Sequence, residues 1–328
     1  MARFAAVGAG RMGRGIALAF AWAGHRIDLV DLKPRPPEAW QRLQDEAGQE
    51  IRASLQALVS LGALAEDLVD TVAARVRLVG HDEAPAAIGQ AELLFEGVPE
   101  TMAAKREALA ALGTHARPDA VITSTTSSIL VTELAPLVAH PGRFLNVHWL
   151  NPAYLIPVVE LSTHPGTTPE TLERTRALLE SVGKLPVVCG PTPGYIVPRL
   201  QALVMNEAAR MVQEGAATAE EIDKATRYGL GLRFAALGVV EFIDFGGADI
   251  LHHASREMSA SVDAQRYRAP EVIGQMVAAG YLGLKTGRGF YDYAGRDVPA
   301  YRRDVLSRTL GMLRHAGMFR PAAEDTQP

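Results

Sequence analysis

One run near the amino terminus constrains the fold more than any other part of the chain. Residues 4–7 are apolar and predict a buried strand, and residues 8–13 follow with the pattern G-x-G-x-x-G. Residues 16–22 then continue as an apolar helix, and residues 27–30 predict a second buried strand. Strand, glycine turn, helix and strand in this order predict a βαβ unit within a parallel sheet.

Each position of this run has a physical task. Gly8 permits the tight turn, Gly10 lets the backbone approach a pyrophosphate, and Gly13 lets helix and strand pack closely. The helix N-terminus offers free N–H groups and the positive end of its dipole to phosphates. Asp31 follows the second strand, 18 residues after Gly13, and can accept the ribose hydroxyls of an adenosine. The run therefore predicts a dinucleotide site, with an ordinary tight turn in an unliganded α/β domain as the alternative.

The acid after the second strand also predicts the choice of cofactor. Asp31 repels the 2′-phosphate of NADP, so NAD is favoured. Lys33 and Arg35 lie close enough in the sequence to oppose that preference.

Composition limits the class of protein. The chain has 328 residues, of which 48% are hydrophobic and 21% charged, as expected for two globular domains. A formal charge of −4 and the lack of a basic run argue against a nucleic-acid partner. Cys189 is the only cysteine, which excludes an intramolecular disulfide and a cysteine metal cluster, and we expect no metal site. The sequence shows no signal peptide and no long apolar stretch, so we expect a cytoplasmic protein without a membrane partner.

The pattern of elements changes at residues 190–194, Gly-Pro-Thr-Pro-Gly. Before this point strands alternate with helices, which predicts an NAD-binding Rossmann-like domain, a doubly wound parallel sheet, over residues 1–189. After it only helices are predicted, giving an all-helical domain for substrate and dimerisation over residues 190–328. Its helices are expected at residues 196–213, 218–228, 239–258, 271–279 and 302–315, and the tail 321–328 is expected to be disordered.

Three polar residues are expected to meet at the carboxyl edge of the sheet. Ser127 follows the strand predicted at residues 120–124, His148 ends the next strand, and Glu160 lies on the strand after that. A histidine oriented by a carboxylate is a general-base arrangement, and a serine hydroxyl can hold the substrate oxygen. Taken separately, each residue has a purely structural alternative.

Several motifs resemble those of the L-3-hydroxyacyl-CoA dehydrogenase family, from the first strand to about Tyr293. They are VGAGRMGRGI at residues 7–16, FEGVPE at 95–100 with Lys105, STTSS at 124–128, HWLNP at 148–152 with Glu160, TPGYIV at 192–197 and KTGRGFY at 285–291.

The resemblance implies roles for these residues. His148 is the catalytic base, Glu160 orients it, and Ser127 contacts the substrate oxygen. Glu100 and Lys105 border the nicotinamide half of NAD, and the second domain forms the substrate cleft and a homodimer interface. The remaining residues expected at the cofactor are Gly8, Gly10, Arg11, Met12, Gly13 and Asp31. Asn151, like Ser127, is expected to bind the substrate.

The chain departs from the family pattern at Pro198, where family members usually have an asparagine beside the histidine and substrate. Proline has neither a side-chain amide nor a backbone donor. Gln201 or Asn206 is available as a substitute, but nothing in the sequence selects either.

A second departure concerns coenzyme A. The corresponding helix of the acyl-CoA enzymes is lysine-rich, whereas residues 40–64 here contain no lysine and only Arg42 and Arg52. The segment GLGLRFA at 229–235 is more similar to the branch that holds lambda-crystallin/L-gulonate 3-dehydrogenase and carnitine dehydrogenase. In that branch the substrates are free 3-hydroxy acids, which makes Arg233 a candidate carboxylate ligand. The alternative is a solvated arginine in a glycine-rich loop.

The sequence thus predicts an NAD-dependent dehydrogenase that oxidises a 3-hydroxy acid or 3-hydroxyacyl thioester to a 3-oxo product, with the free acid favoured. One alternative is an L-3-hydroxyacyl-CoA dehydrogenase acting on 3-hydroxybutyryl-CoA. The other is a crystallin-like structural protein that binds NAD without turnover, which only Pro198 favours.

Overall fold

The computed structural model describes residues 3–321, and its chain divides into two compact units between Val204 and Met205. Of the tail expected to be disordered, residues 322–328 lie outside the described part.

The first unit is built on one sheet of eight strands. Their order is β3-β2-β1-β4-β5-β6-β7-β8, so the chain reverses its direction of winding after β3. The strands are β1 (Phe4–Val7), β2 (Ile27–Val30), β3 (Val76–Val79), β4 (Leu93–Glu96), β5 (Val121–Ser124), β6 (Phe144–Trp149), β7 (Val158–Ser162) and β8 (Leu185–Cys189).

One strand pair departs from the parallel arrangement of the sheet. β7 runs antiparallel to β6, while every other neighbouring pair is parallel. Only residues 150–157 connect β6 to β7, which is too short for the crossover that a parallel pair needs. Glu160 is thus brought opposite His148 by a strand that runs in the reverse direction.

Both faces of the sheet are buried, which explains the continuous apolar strands. Along β1, Phe4 and Ala6 pack into one hydrophobic cluster, whereas Ala5 and Val7 pack into another on the opposite face. This alternation is the two-residue period of a strand applied to a sheet with helices on both sides. Burial of both faces thus fixes the positions of the strands that carry the polar residues of the candidate site.

Seven helices accompany the sheet. Those packing on the face of Phe4 are α1 (Arg11–Trp22), α2 (Pro37–Ser60) and α7 (Pro169–Ser181), α3 (Val69–Ala73) packs against α1 and α2, and α4 (Ala84–Gln90), α5 (Met102–His115) and α6 (Val131–Leu134) pack on the other face. Short 3₁₀ turns lie at Glu66–Leu68, His81–Glu83, Ala135–Leu137 and Pro141–Arg143.

The second unit is helical, as expected, but two of its segments differ from the prediction. The helix expected over 239–258 is interrupted at Gly247, whose φ of 115° is unfavourable for other residues. Residues 229–235, expected as a loop, belong to a π-helical turn and a short α-helix. Helix α8 (Val197–Gln213) leads into this unit, followed by α9 (Ala219–Lys224), the π-helix Ala225–Gly231, α10 (Leu232–Ala236), α11 (Val239–Gly246), α12 (Ala248–Ser261), α13 (Glu271–Ala278) and α14 (Val298–His315).

The KTGRGFY motif has a structural explanation in this unit. Asp244 is fully buried, and its carboxylate accepts the N–H groups of Phe290 and Tyr291 at 3.0 and 2.8 Å. A Cβ at Gly289 would collide with that carboxylate, so the glycine lets the loop close over Asp244. Across residues 3–321, no helix combines the length and the hydropathy required of a membrane span.

Candidate active site

His148 and Glu160 face each other across the antiparallel strand pair. Their Cα positions are register partners of β6 and β7, and His148 Nδ1 lies 2.8 Å from Glu160 Oε2. Both side chains are buried, His148 being 4% exposed and Glu160 not at all. Side chains directly opposite on one face of such a pair are close neighbours, so the backbone pairing itself brings them together.

Glu160 is held in its charged form by three donors. Its Oε1 accepts the N–H groups of Ile196 and Val197, at 2.8 and 2.7 Å, where α8 begins. Burial tends to raise the pKa of Glu160, but the hydrogen bonds from His148, Val197 and Ile196 outweigh it and lower that pKa. An ionised carboxylate can only accept, so His148 Nδ1 donates to it and Nε2 of the neutral ring keeps a lone pair.

Ser127 lies on the other side of the imidazole. Its Oγ is 3.2 Å from His148 Nε2, and the residue is exposed in the loop after β5. In this geometry the hydroxyl and the imidazole can both contact one substrate oxygen, and the imidazole can take the proton of that oxygen. Ser127, His148 and Glu160 therefore form one continuous hydrogen-bonded series.

Glu100 braces the loop that carries Ser127. Its Oε1 accepts the backbone N–H groups of Ser127 and Ser128, at 2.8 and 2.9 Å, and the Thr126 hydroxyl at 2.5 Å. Burial alone would raise the pKa of Glu100, but the Thr126 hydrogen bond, Lys105 and Ser128 lower it to about 2. The carboxylate thus stays ionised and fixes three successive residues.

A buried ion pair lies behind this loop. Lys105, 1% exposed, places its Nζ 3.1 Å from Glu96 Oε1 and 3.3 Å from Glu100 Oε2. Glu96 is also buried, and its second oxygen accepts the Ser124 hydroxyl at 2.6 Å. In the described structure Lys105 and Glu100 therefore contact the Ser127 loop and its support, and neither lines the groove described below.

The sequence did not predict a contact between Tyr195 and His148, although Tyr195 lies within the TPGYIV motif. Its ring stacks on His148, its hydroxyl donates to the Thr126 carbonyl at 2.8 Å, and it accepts from Asn146 Nδ2 at 3.1 Å. Burial raises the pKa of Tyr195, so the phenol stays protonated. The signal was an aromatic residue inside the PGYIV run, but a contact across 47 residues of sequence is not encoded locally.

A groove of about 850 Å³ lies along the glycine turn, and the residues present fit a dinucleotide. A Cβ on Gly8 would lie 2.6 Å from the Gly97 carbonyl, and one on Gly13 would collide with the Gly8 carbonyl, so both glycines permit close packing. Gly10, by contrast, faces open space, as an approaching pyrophosphate requires. The predicted cofactor residues that line this groove are Gly8, Gly10, Arg11, Met12 and Asp31.

Asp31 is already paired in this groove. It is 5% exposed, and its Oδ2 accepts a hydrogen bond from Nε of Arg35, four residues later. The interaction raises the pKa of the Arg35 guanidinium, so the arginine remains charged. One carboxylate oxygen of Asp31 carries this bond, and Arg35 and Lys33 are both groove residues.

The structure places the two other predicted substrate residues in different units. Asn151 is exposed in the turn after β6 and lines a separate small cavity beside α1. Arg233 belongs to the second unit, where it is exposed on α10, which corrects its expected loop position. Pro198 is the second residue of α8, where a missing backbone donor is tolerated.

The fold and the groove define a dinucleotide-binding α/β protein, and comparisons with known proteins agree. The family model "3-hydroxyacyl-CoA dehydrogenase, NAD binding domain" matches residues 3–192, and the model of that family's C-terminal domain matches residues 194–293. The chain is 28% identical to 5-formyl-3-hydroxy-2-methylpyridine 4-carboxylate 5-dehydrogenase of Mesorhizobium japonicum, over 94% of this chain and 96% of the relative. It is 31% identical to a probable 3-hydroxybutyryl-CoA dehydrogenase of Bacillus subtilis, over 87% of this chain and 95% of the relative.

A solved structure is similar over nearly the whole chain. The 3-hydroxyacyl-CoA dehydrogenase of Archaeoglobus fulgidus superposes with a TM-score of 0.74 at 27% identity, covering 97% of this chain and all of the other. The chain therefore belongs to the 3-hydroxyacyl-CoA dehydrogenase family. It is an NAD-dependent oxidoreductase acting on a CH–OH group, and the resemblance, fold class and cofactor expected from the sequence are confirmed.

Proposed function

We propose that the protein oxidises the secondary alcohol of a free 3-hydroxy acid to a 3-oxo acid. The observation that carries this proposal is the series Ser127 Oγ, His148 Nε2, His148 Nδ1, Glu160 Oε2. His148 Nε2 takes the proton of the substrate hydroxyl as general base, and Glu160 stabilises the imidazolium that forms. Ser127 donates a hydrogen bond to the same substrate oxygen and keeps it beside Nε2.

The cofactor supplies the hydride acceptor when it is bound. The groove residues hold it: the glycine turn and the N-terminus of α1 face its phosphates, and Asp31 accepts ribose hydroxyls. Glu100 and Lys105 act here by fixing the loop of Ser127, which keeps that hydroxyl at a constant distance from His148.

The preference for a free acid rests on the charges of α2. Helix α2 carries no lysine. One of its two arginines, Arg52, is already paired with Asp70 at 3.0 Å. Little cationic surface is therefore left to hold the phosphates of coenzyme A. The Mesorhizobium relative is named for a carboxylate substrate, which supports the same preference. The Bacillus relative is named for a CoA thioester, which defines the alternative.

The second domain, residues 190–328, is proposed to form the substrate cleft, with Arg233 as a ligand, and the interface of a homodimer. We place the protein in the cytoplasm, since its single cysteine and its nicotinamide chemistry suit a reducing compartment.

NADH absorbance assays test the function directly. Wild-type protein is assayed with 3-hydroxybutyrate, L-gulonate and 3-hydroxybutyryl-CoA in the presence of NAD. We expect turnover with a higher kcat/KM for a free acid, and a His148→Ala variant should lose about 10²- to 10⁴-fold in kcat while retaining NAD affinity. A higher kcat/KM for the thioester would assign the protein to the acyl-CoA branch. A structural role without turnover would follow if no alcohol is oxidised although NAD binds.

A further inference from the structure

Lys184 is a buried cation that the proposed mechanism does not use. It lies in the short connection between α7 and β8, is 8% exposed, and places its Nζ 5.7 Å from the centroid of the Trp149 ring. No carboxylate within residues 3–321 forms an ion pair with Lys184, and burial lowers the pKa of its ammonium group to about 8. The group is therefore mostly charged at pH 7, although a buried charge without a counterion is costly.

The ammonium group joins two points of the connection between β6 and β7. Nζ donates to the Ala153 carbonyl at 2.7 Å and to the Ile156 carbonyl at 2.9 Å. The next residue, Leu185, donates its backbone N–H to the Pro157 carbonyl at 2.8 Å. Lys184 and Leu185 thus hold three carbonyls of the segment 150–157 against the start of β8.

The segment held in this way determines how β6 and β7 meet. The register pair nearest to it is Trp149 with Val159, and the following pair is His148 with Glu160. Residues 150–157 form a short connection between antiparallel strands, so a displacement of this segment is transmitted to the ends of both strands. The contact of Lys184 is therefore one register pair away from the contact proposed to orient the base.

We propose that Lys184 is a positioning residue: by fixing the β6–β7 connection it maintains the contact between His148 Nδ1 and Glu160 Oε2. The proposal rests on the proposed role of His148 as general base and names the group that holds its strand pair in place. An ammonium group suits this task because it has three donors on a flexible stem and can serve two carbonyls at once. An apolar side chain of similar length would fill the space but leave both carbonyls without this donor.

Substitutions of Lys184 test the proposal with the hydroxy acid that the wild type oxidises fastest. Lys184→Met keeps an unbranched stem and removes the charge, Lys184→Arg keeps the charge, and Lys224→Met, on the exposed face of α9, is the matched control. We expect kcat to fall about 10-fold in Lys184→Met, within the roughly 10²-fold that a misplacement of about 1 Å can cost, and less in Lys184→Arg. NAD affinity should not change, because Lys184 does not line the cofactor groove.

A double variant distinguishes positioning from a general loss of stability. If Lys184 acts through Glu160, then Glu160→Gln already removes the contact that Lys184 maintains, and adding Lys184→Met should lower kcat little further. Independent effects would instead multiply. Multiplied losses in the double variant, or a kcat of Lys184→Met equal to that of Lys224→Met, would overturn the proposal.

Hydrogen exchange measured by mass spectrometry tests the clamp without relying on turnover. Amides of residues 150–157 should exchange faster in Lys184→Met than in the wild type, whereas those of α5 should be unchanged. Equal exchange of residues 150–157 in both proteins would overturn the proposal. A wild type that oxidises no alcohol would refute the proposed function, and faster exchange in that case would leave Lys184 as a structural clamp without a positioning role.

Discussion

The ring of Tyr195 lies flat against the ring of His148, with 4.5 Å between their centroids and 14° between their planes. The backbone of Tyr195 has a φ of 46°, in the left-handed region that residues with side chains seldom adopt. Two hydrogen bonds through the phenol hydroxyl hold the ring in place. The proposed base thus has a fixed carboxylate at its edge and a fixed aromatic ring on its face.

Two substitutions of Tyr195 separate the contribution of its ring from that of its hydroxyl. Tyr195→Phe keeps the stacked ring, whereas Tyr195→Leu removes it. We expect kcat to fall about 2- to 10-fold in Tyr195→Leu and less in Tyr195→Phe, in line with the free energy of an aromatic pair. NAD affinity should stay unchanged in both variants, because Tyr195 does not line the cofactor groove. A kcat equal to that of the wild type in both variants would reduce Tyr195 to a purely structural residue.

Glu160→Gln tests the orientation of the base. The amide keeps the shape of the side chain but cannot enforce a donating Nδ1, so kcat should fall between those of wild type and His148→Ala. NAD affinity, measured by fluorescence titration, should not change. Glu173→Gln on the exposed face of α7 is the matched control, and equal activities of the two variants would argue against the role proposed for Glu160.

Arg35→Gln tests Asp31, the partner of Arg35 and the residue expected to make the protein prefer NAD. The wild type should bind NAD more tightly than NADP because Asp31 repels a 2′-phosphate. Since Arg35 occupies Asp31, its removal should tighten NAD about 2- to 5-fold, as for a partly exposed ion pair, and weaken NADP. Fluorescence titrations of both cofactors measure this, with Lys33→Gln for comparison. Weaker NAD binding in Arg35→Gln would mean that the arginine itself contacts the cofactor.

Glu100 predicts a pH dependence of stability. Its pKa in the folded protein is about 2, below the ordinary value of 4.5, so its contribution is complete above pH 4.5 and is lost as the pH falls towards 2. Urea unfolding should therefore show a smaller loss of stability between pH 5 and pH 3 in Glu100→Gln than in the wild type. Glu180→Gln, an exposed carboxylate of α7, should follow the wild type. Identical slopes for all three proteins would contradict the strong pairing of Glu100.

Much of the first unit was predictable because its strands are short, apolar and bounded by turn residues. The strands at residues 4–7 and 27–30 have the predicted bounds, and β5 begins one residue later than the strand expected at residues 120–124. The direction of β7 was not predictable from its own residues, because alternation along a strand does not specify the direction of its neighbour. The short connection at residues 150–157 contained that information.

Within the candidate site, the sequence indicated the residues proposed for the chemistry but not the residues that hold them in place. Ser127, His148 and Glu160 were expected to meet, and their side chains are hydrogen-bonded in the structure. The contact of Glu100 with the Ser127 loop and the stack of Tyr195 join segments distant in sequence. Such contacts depend on how strands are ordered, which no local pattern specifies.

The antiparallel pairing of β6 and β7 has a consequence for folding. His148 and Glu160 are partners in the register, and a shift of one residue would turn Glu160 to the opposite face of the sheet. There the carboxylate would be buried among apolar side chains without a donor, at a cost that a native chain avoids. The contact proposed to orient the base therefore also favours correct strand pairing, because a chain in the wrong register would bury the Glu160 charge without a donor.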